Sequence, residues 1–219
     1  MLEVENLSYW YQNRDDFLFE NENLQFEKGK VYAILGQSGS GKTTFLSLLA
    51  GLDSPKEGKI KLNGKTIEKI GLTNFRKSKV STIFQAYNLL PYMTARQNVQ
   101  TALEISGKNS AKNIEGLFEE AGISKDLIDK PVSRLSGGQQ QRVAIVRALA
   151  TGNEIIIADE PTGNLDEKTT GEIVKIFKKI AHQNDKIVII VTHEREVAAE
   201  SDVVFELKKR KFNKVEAIA

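Results

Sequence analysis

The chain has 219 residues, 40% hydrophobic and 27% charged, which suits one soluble globular domain with a proper core and room for a subdomain. Its net charge of +2 is too small to argue for a broad nucleic-acid surface, and no nucleic-acid partner is expected. The absence of cysteine excludes disulfides, thiol catalysis and thiolate metal sites, and suits a reducing compartment. No stretch approaches the roughly 20 apolar residues of a membrane span. Met1-Leu2-Glu3-Val4-Glu5 lacks the basic-then-apolar pattern of a signal peptide, so the expected address is the cytoplasm.

The first elements alternate. Met1–Tyr11, Phe17–Phe26 and Gly58–Ile67 carry alternating patterns, and Asn63-Gly64 is a hairpin turn signal. They predict a small antiparallel β layer over residues 1–30 and 56–70. Between its parts the pattern changes. The apolar run Val31–Leu35 meets Gly36-Gln37-Ser38-Gly39-Ser40-Gly41-Lys42-Thr43-Thr44, and Phe45-Leu46-Ser47-Leu48-Leu49 then reads as a helix. Gly36 to Thr43 fits G-x-x-x-x-G-K-[ST], a phosphate-binding loop in the strand–loop–helix setting that it requires. Its glycines let backbone N–H groups turn inward around phosphate oxygens, and the helix adds its positive end. Lys42 is placed to reach the β- and γ-phosphates, and the Thr43 hydroxyl to ligate magnesium.

Three further apolar runs follow: Val80–Phe84, Ile155–Ala158 and Ile187–Val191. Near-continuous β-rich runs are what parallel strands buried on both faces require. They end on Gln85, Asp159-Glu160 and Thr192-His193, as the first ends on Gly36. Ligands of open α/β sheets sit beyond the carboxyl ends of the strands, so four strand ends converge on one site. The predicted fold is α/β, a P-loop NTPase with a mostly parallel central sheet flanked by helices.

Thr94 to Asp129 turns helical, with Val99, Leu103, Ile114, Leu117 and Phe118 for apolar faces and Gly107 and Gly122 as breaks. An inserted α-helical subdomain is expected over residues 87–134, and a RecA-like core over the remainder of the single domain. In Leu135-Ser136-Gly137-Gly138-Gln139, Ser136 is a good N-cap for a helix through Val143, Val146 and Leu149. Its two glycines would expose N–H groups at that helix's positive end. One nucleotide hardly needs two such loops. A dimer in which each chain's second loop covers the other's nucleotide is the economical reading, and a simply capped helix is the plain one. Asp159 at the strand end suits water-mediated magnesium binding, and Glu160 suits polarising the attacking water. The basic run Lys208-Lys209-Arg210-Lys211 reads as a solvated turn rather than a patch for anionic lipid.

These motifs together resemble the nucleotide-binding subunit of ATP-binding cassette transporters. LSGGQQQRVAIVRAL, Leu135 to Leu149, looks like the family signature, and the likeness runs from the N-terminal strands to His193 and beyond. Ser136, Gly137, Gly138 and Gln139 would then bind nucleotide across a dimer. Gly36–Thr44 resembles Walker A, and Ile155–Glu160 resembles Walker B with Glu160 as the catalytic carboxylate. Gln85 in IFQAYNLLP resembles the Q-loop glutamine that contacts magnesium and the attacking water. Asp166 in GNLD resembles the D-loop aspartate, and His193 the switch histidine. Tyr11 resembles the aromatic that stacks on adenine, with Tyr9 and Trp10 beside it as rivals.

The resemblance implies ATP and Mg2+ as cofactors. It also implies an ATP-dependent head-to-tail dimer of two copies and a separate integral membrane permease on whose cytoplasmic side the chain sits. ADEPTGNLD and FQAYNLLPYMTARQNV look like the lipoprotein-release, macrolide-export, antimicrobial-peptide-resistance and cell-division branch. That branch also implies an alternative role, an ATPase switch controlling cell-wall hydrolases through a membrane partner. Leu89-Leu90-Pro91-Tyr92 would either meet the permease or pack the helical subdomain. Gln97 stands where the branch usually has Glu, and Glu194 follows the histidine where Asp is common. The C-terminal LKKRKFNKVE is more basic than the family's usual turn.

Overall fold

The computed structural model describes residues 1–107 and 113–215. Residues 108–112 of the expected helical stretch and Glu216 of the basic C-terminal segment lie outside the described residues. In chain order, β1 (Leu2–Trp10) and β2 (Phe17–Phe26) pair antiparallel, and β3 (Lys30–Leu35) leads through the glycine loop into α1 (Lys42–Leu49). The hairpin β4 (Glu57–Leu62) and β5 (Lys65–Thr66) follows, then α2 (Ile67–Ile70), α3 (Leu72–Ser78) and β6 (Val80–Ile83). Beyond them lie α4 (Ala95–Ser106), α5 (Ile114–Glu120), α6 (Lys125–Ile128) and α7 (Gly137–Ala150). The chain then runs through β7 (Ile155–Asp159), α8 (Glu167–Asn184), β8 (Ile187–Thr192), α9 (Arg195–Ala199), β9 (Val203–Lys208) and β10 (Lys211–Val215).

Two sheets result, with orders β2-β1-β4-β5 and β10-β9-β3-β8-β7-β6. The first is antiparallel, and its Asn63-Gly64 turn has φ of 51° and 78°, the double left-handed geometry of a tight hairpin. The second is parallel from β9 to β6, with β10 antiparallel at its edge. Successive residues of a strand face opposite ways. Ile155, Ile157, Ile187, Ile189 and Val191 therefore join α1 and the antiparallel sheet in one core. Ile156, Ala158, Val188 and Ile190 pack on α7, α8 and α9 on the other face. Covering both faces is what requires the unbroken apolar runs.

Helix α7 is buried on two sides. Ala144, Ile145 and Ala148 face the parallel sheet, whereas Val143, Val146 and Ala150 join α4, α5 and α6 in a separate cluster around Val99, Leu103 and Phe118. Gly107, at φ 71°, ends α4, and Gly122, at φ 75°, turns the chain after α5. The basic run is a turn: Lys209 and Arg210 have φ of 50° and 66°, between two strands that alternation alone did not single out. Arg210 pairs with Asp16 at 2.7 Å, and Lys211 lies 3.4 Å from Glu22. Phe212 meets Phe45 of α1 at 4.4 Å between ring centroids. No described helix is long and apolar enough to cross a membrane.

Candidate active site

The glycine loop sits at the carboxyl end of β3, where Gly36 N–H donates to Thr192 O of β8 at 3.3 Å. Its shape depends on the missing side chains. A Cβ on Gly36 would lie 2.8 Å from Ser40 Oγ and 3.1 Å from Leu207 O. Gly39 and Gly41 have φ of 75° and 104°, the left-handed region that costs glycine least. Lys42 is 5% exposed, and its Nζ donates to Gly36 O at 2.8 Å and Gln37 O at 2.9 Å, so the loop wraps its own cation. Ser40 Oγ is buried without a hydrogen-bond partner among the described residues. Such an orphan in a glycine-rich loop at the start of a helix fits an anion with oxygen atoms to share.

The neighbouring strand ends face the same loop. Thr43 Oγ1 lies 3.4 Å from Asp159 Oδ2, and Asp159 Oδ1 is a second buried orphan. Burial, with the adjacent Glu160 carboxylate adding to it, pushes the Asp159 carboxyl above its ordinary pKa. A hydroxyl beside a desolvated carboxylate fits a divalent cation. Glu160 has φ of 44°, unusual for a residue with a side chain, and its N–H donates to Val191 O at 2.8 Å. Its Oε1 lies 3.1 Å from His193 Nδ1 and 3.9 Å from Lys42 Nζ. Gln85 Nε2 and Glu160 Oε2 approach the same point, 3.8 and 3.7 Å from where a Cβ on Gly163 would be.

Two openings flank the loop. One, of about 730 Å³, is bounded by Gly36, Gln37, Ser38, Ser40, Glu160 and His193. The other, of about 270 Å³, runs from Thr43, Thr44 and Gly41 to Leu18 and Tyr11. The aromatics at the end of β1 divide sharply. Tyr9 is buried and donates to Asp53 Oδ2 at 2.6 Å, which with burial raises its pKa to about 12. Trp10 packs edge-on against Phe17. Tyr11 is 64% exposed, and its hydroxyl hydrogen-bonds Thr44 Oγ1 at the mouth of the loop.

The second loop is differently built. Ser136 caps α7 by accepting from Gln139 N at 3.3 Å, while the Gln139 side chain accepts from Ser136 N at 2.9 Å. A Cβ on Gly138 would lie 2.8 Å from Thr169 Cγ2, and one on Gly137 3.2 Å from the Tyr87 hydroxyl. Asp166 caps α8, accepting from Thr169 N at 3.0 Å and Thr169 Oγ1 at 2.6 Å. These bonds hold its carboxyl below its ordinary pKa. Among the described residues, no hydrogen bond or ion pair joins Ser136, Gly138, Gln139 or Asp166 to Lys42, Asp159 or Glu160 of the same chain. Sequence reasoning missed two ties. Thr162 donates to Glu194 at 2.8 Å, securing the turn after Glu160 to the residue after His193. Arg147 donates to Tyr87 O at 2.7 Å and to Asn88 O, and its only sequence signal is a charge within an apolar helix.

A strand-to-helix glycine loop beside strand-end acids on a parallel sheet defines a P-loop nucleotide-binding α/β protein. Residues 19–163 match the family model described as ABC transporter. The chain is 51% identical to YclH of Bacillus subtilis strain 168, an uncharacterized ABC transporter ATP-binding protein, over 100% of this chain and 98% of that one. It is 37% identical to a macrolide export ATP-binding/permease protein, MacB, of Mannheimia succiniciproducens, over 95% of this chain but 33% of that longer protein. The dimeric structure of the ABC transporter cassette MJ0796 superposes with a TM-score of 0.86, at 32% identity and 100% of both chains. A post-hydrolysis dimer of MJ0796 bound to ADP and Pi superposes equally well. The chain belongs to the ABC transporter family, as an ATP-binding subunit of the ATP-hydrolysing kind.

Proposed function

We propose that two copies of this chain, joined head to tail, sandwich two ATP molecules and drive a separate membrane permease from its cytoplasmic side. The observation that carries this is the convergence of Lys42, Thr43, Asp159, Glu160, His193 and Gln85 around one glycine loop, while Gly137 and Gly138 lie against Tyr87 and Thr169 instead. Gly36 to Thr44 hold the triphosphate through backbone N–H groups, and Lys42 leaves its two carbonyls for the β- and γ-phosphates. Tyr11 carries the adenine, because Tyr9 is committed to Asp53 and Trp10 to Phe17. Thr43, Asp159 and Gln85 would hold Mg2+, which would neutralise charge on the phosphates.

Glu160 takes the proton of the attacking water at its carboxylate. His193 Nδ1, 3.1 Å from that carboxylate, fixes it in place, and the imidazole meets the γ-phosphate when nucleotide binds. Ser136, Gly137, Gly138 and Gln139 present the N-terminus of α7 to the partner copy's nucleotide, and Asp166 lies at the same junction. Differential affinity of ATP for the closed pair then performs work on the permease. The chain is organised for this as an antiparallel layer, a helical insert around α4 to α6 and a RecA-like core. A groove of about 330 Å³ between the edge strand β6 and α4, with Leu90, Asn98, Thr101 and the 70%-exposed Ile105 in its wall, seats the permease. In that arrangement Leu89 packs inward and Tyr92, 74% exposed, faces the partner.

Glu160→Gln tests the reading. ATP affinity should be retained, hydrolysis should fall by about 10²–10⁴, and an ATP-dependent dimer should emerge in size-exclusion chromatography. Normal turnover in that variant would remove Glu160 from the mechanism.

A further inference from the structure

The ten residues after β6, Phe84 to Met93, run from the nucleotide site past the second glycine loop to the proposed permease groove. They include Gln85, which with Glu160 lines the space beside Gly163, and Tyr87, whose hydroxyl would lie 3.2 Å from a Cβ on Gly137. Tyr87 and Asn88 both have left-handed φ, 61° and 49°. Consecutive residues with side chains rarely hold that conformation unless their surroundings impose it. Two side chains supply the restraint. From α4, the buried Asn98 accepts from Leu90 N at 2.8 Å and donates to Leu90 O at 3.2 Å. From α7, Arg147 donates through Nη2 to Tyr87 O at 2.7 Å and through Nη1 to Asn88 O.

The arginine is the less expected of the two. It sits between Val146 and Ala148, in the half of α7 whose small and apolar side chains pack on the sheet and on the helical cluster. Desolvation lowers its pKa. No ion pair to its guanidinium occurs among the described residues; its partners are the two carbonyls of the strained turn. A planar fork with parallel donors matches two successive carbonyls as an ammonium cannot.

We propose that Arg147 is a positioning residue for hydrolysis, holding the Tyr87–Asn88 turn so that Gln85 is aimed at Glu160 while Tyr87 rests on Gly137. Gln85 serves the chain's own nucleotide, and Gly137 serves the nucleotide of the partner copy. The turn thus ties one composite site to the other through a single chain, with α7 as its anchor. This role rests on the sandwich reading and deepens it.

The chain contains no cysteine, so Ala86→Cys provides a unique attachment point for a nitroxide label beside Gln85. In the Arg147→Met variant the label should become markedly more mobile, while a label at Lys175→Cys on exposed α8 should keep its spectrum. In the unlabelled protein kcat should fall about 10- to 100-fold with KM for ATP nearly unchanged, the signature of a misplaced catalytic group rather than a lost binding contact. Adding Arg147→Met to Gln85→Ala should lower kcat no further, because both changes remove one function. Should Arg147→Met not fold, Arg147→Lys serves, keeping charge and stem but losing the two-pronged contact, with the same direction of effect on the label and on kcat. An unchanged label at position 86, or losses that multiply in the double variant, would overturn the positioning role alone, with Gln85→Ala still impaired. Full turnover in Gln85→Ala would overturn the assignment of Gln85 made above, and the role of Arg147 with it.

Discussion

The two glycine loops of this chain solve different problems with similar residues. The loop at Gly36–Thr43 is glycine-dependent and unfinished: Gly39 and Gly41 are left-handed, Ser40 Oγ and the nearby Asp159 Oδ1 are buried orphans among the described residues, and Lys42 is bound to the loop's own carbonyls. The loop at Ser136–Gln139 is complete in itself. Its serine and glutamine close a reciprocal cap, and its glycines make room for Tyr87 and Thr169. A cradle with orphaned polar atoms is organised around a ligand of its own. A satisfied helix start asks for no ligand from its own chain, which leaves it free for the partner's nucleotide in the proposed dimer.

Breaking the first loop should have the largest effect. Gly41→Ala must hold a side chain at φ 104° and 2.8 Å from Leu18, which should reduce nucleotide affinity by roughly 100-fold or more in a titration of the isolated chain. Near-normal affinity would show that the loop's backbone geometry is not what binds phosphate. Gly138→Ala breaks the second loop in another way. The new methyl meets Thr169 Cγ2, whose rotamer is fixed by the Thr169–Asp166 hydrogen bond, and overpacking of this kind costs about 1–3 kcal/mol. Thr169→Ser removes that methyl and keeps the hydroxyl, so the double variant should regain most of the unfolding free energy in urea. Nucleotide affinity of the single chain should stay unchanged throughout, and a parallel loss of affinity would contradict the division of labour.

A smaller effect sharpens the base contact. Tyr11→Ala should weaken nucleotide binding by about three- to tenfold, the worth of one stacking aromatic. Tyr9→Phe should leave affinity intact and lower stability by about 1 kcal/mol through loss of the bond to Asp53. The raised pKa of Tyr9 adds a pH signature. Its protonated form is favoured in the folded state, so its contribution is fully present below pH 10 and is lost as pH rises through about 12. Tyr9→Phe should flatten the stability profile in that alkaline window. An unchanged profile would show that the Tyr9–Asp53 bond is not stabilising.

Much of this was legible in the sequence, for reasons tied to particular residues. The unbroken runs of β3, β7 and β8 announce strands covered on both sides, and Asn63-Gly64 supplies two left-handed positions that few other pairs hold without strain. Strand-end residues are legible because topology alone brings them together. The β9–β10 hairpin was not, since Val203–Lys208 is a short, half-buried run followed by a dense basic turn. Nor could sequence choose among Tyr9, Trp10 and Tyr11. Their difference is burial, decided by Asp53 and Phe17 reaching them from elsewhere in the fold. The ties of Arg147 to Tyr87 and of Thr162 to Glu194 span 60 and 32 residues and leave no local pattern.

The central claim is that each site is completed by the other copy, and complementation between two inactive variants addresses it most directly. Lys42→Ala disables one chain's own loop, and Gly137→Arg blocks the other chain's second loop. Neither alone should hydrolyse ATP. Mixed in equal amounts, they should form dimers in which one site joins an intact loop of each kind, restoring roughly a quarter of normal turnover if chains pair at random. A mixture as inactive as its components, with mixed dimers present by mass, would contradict the shared site.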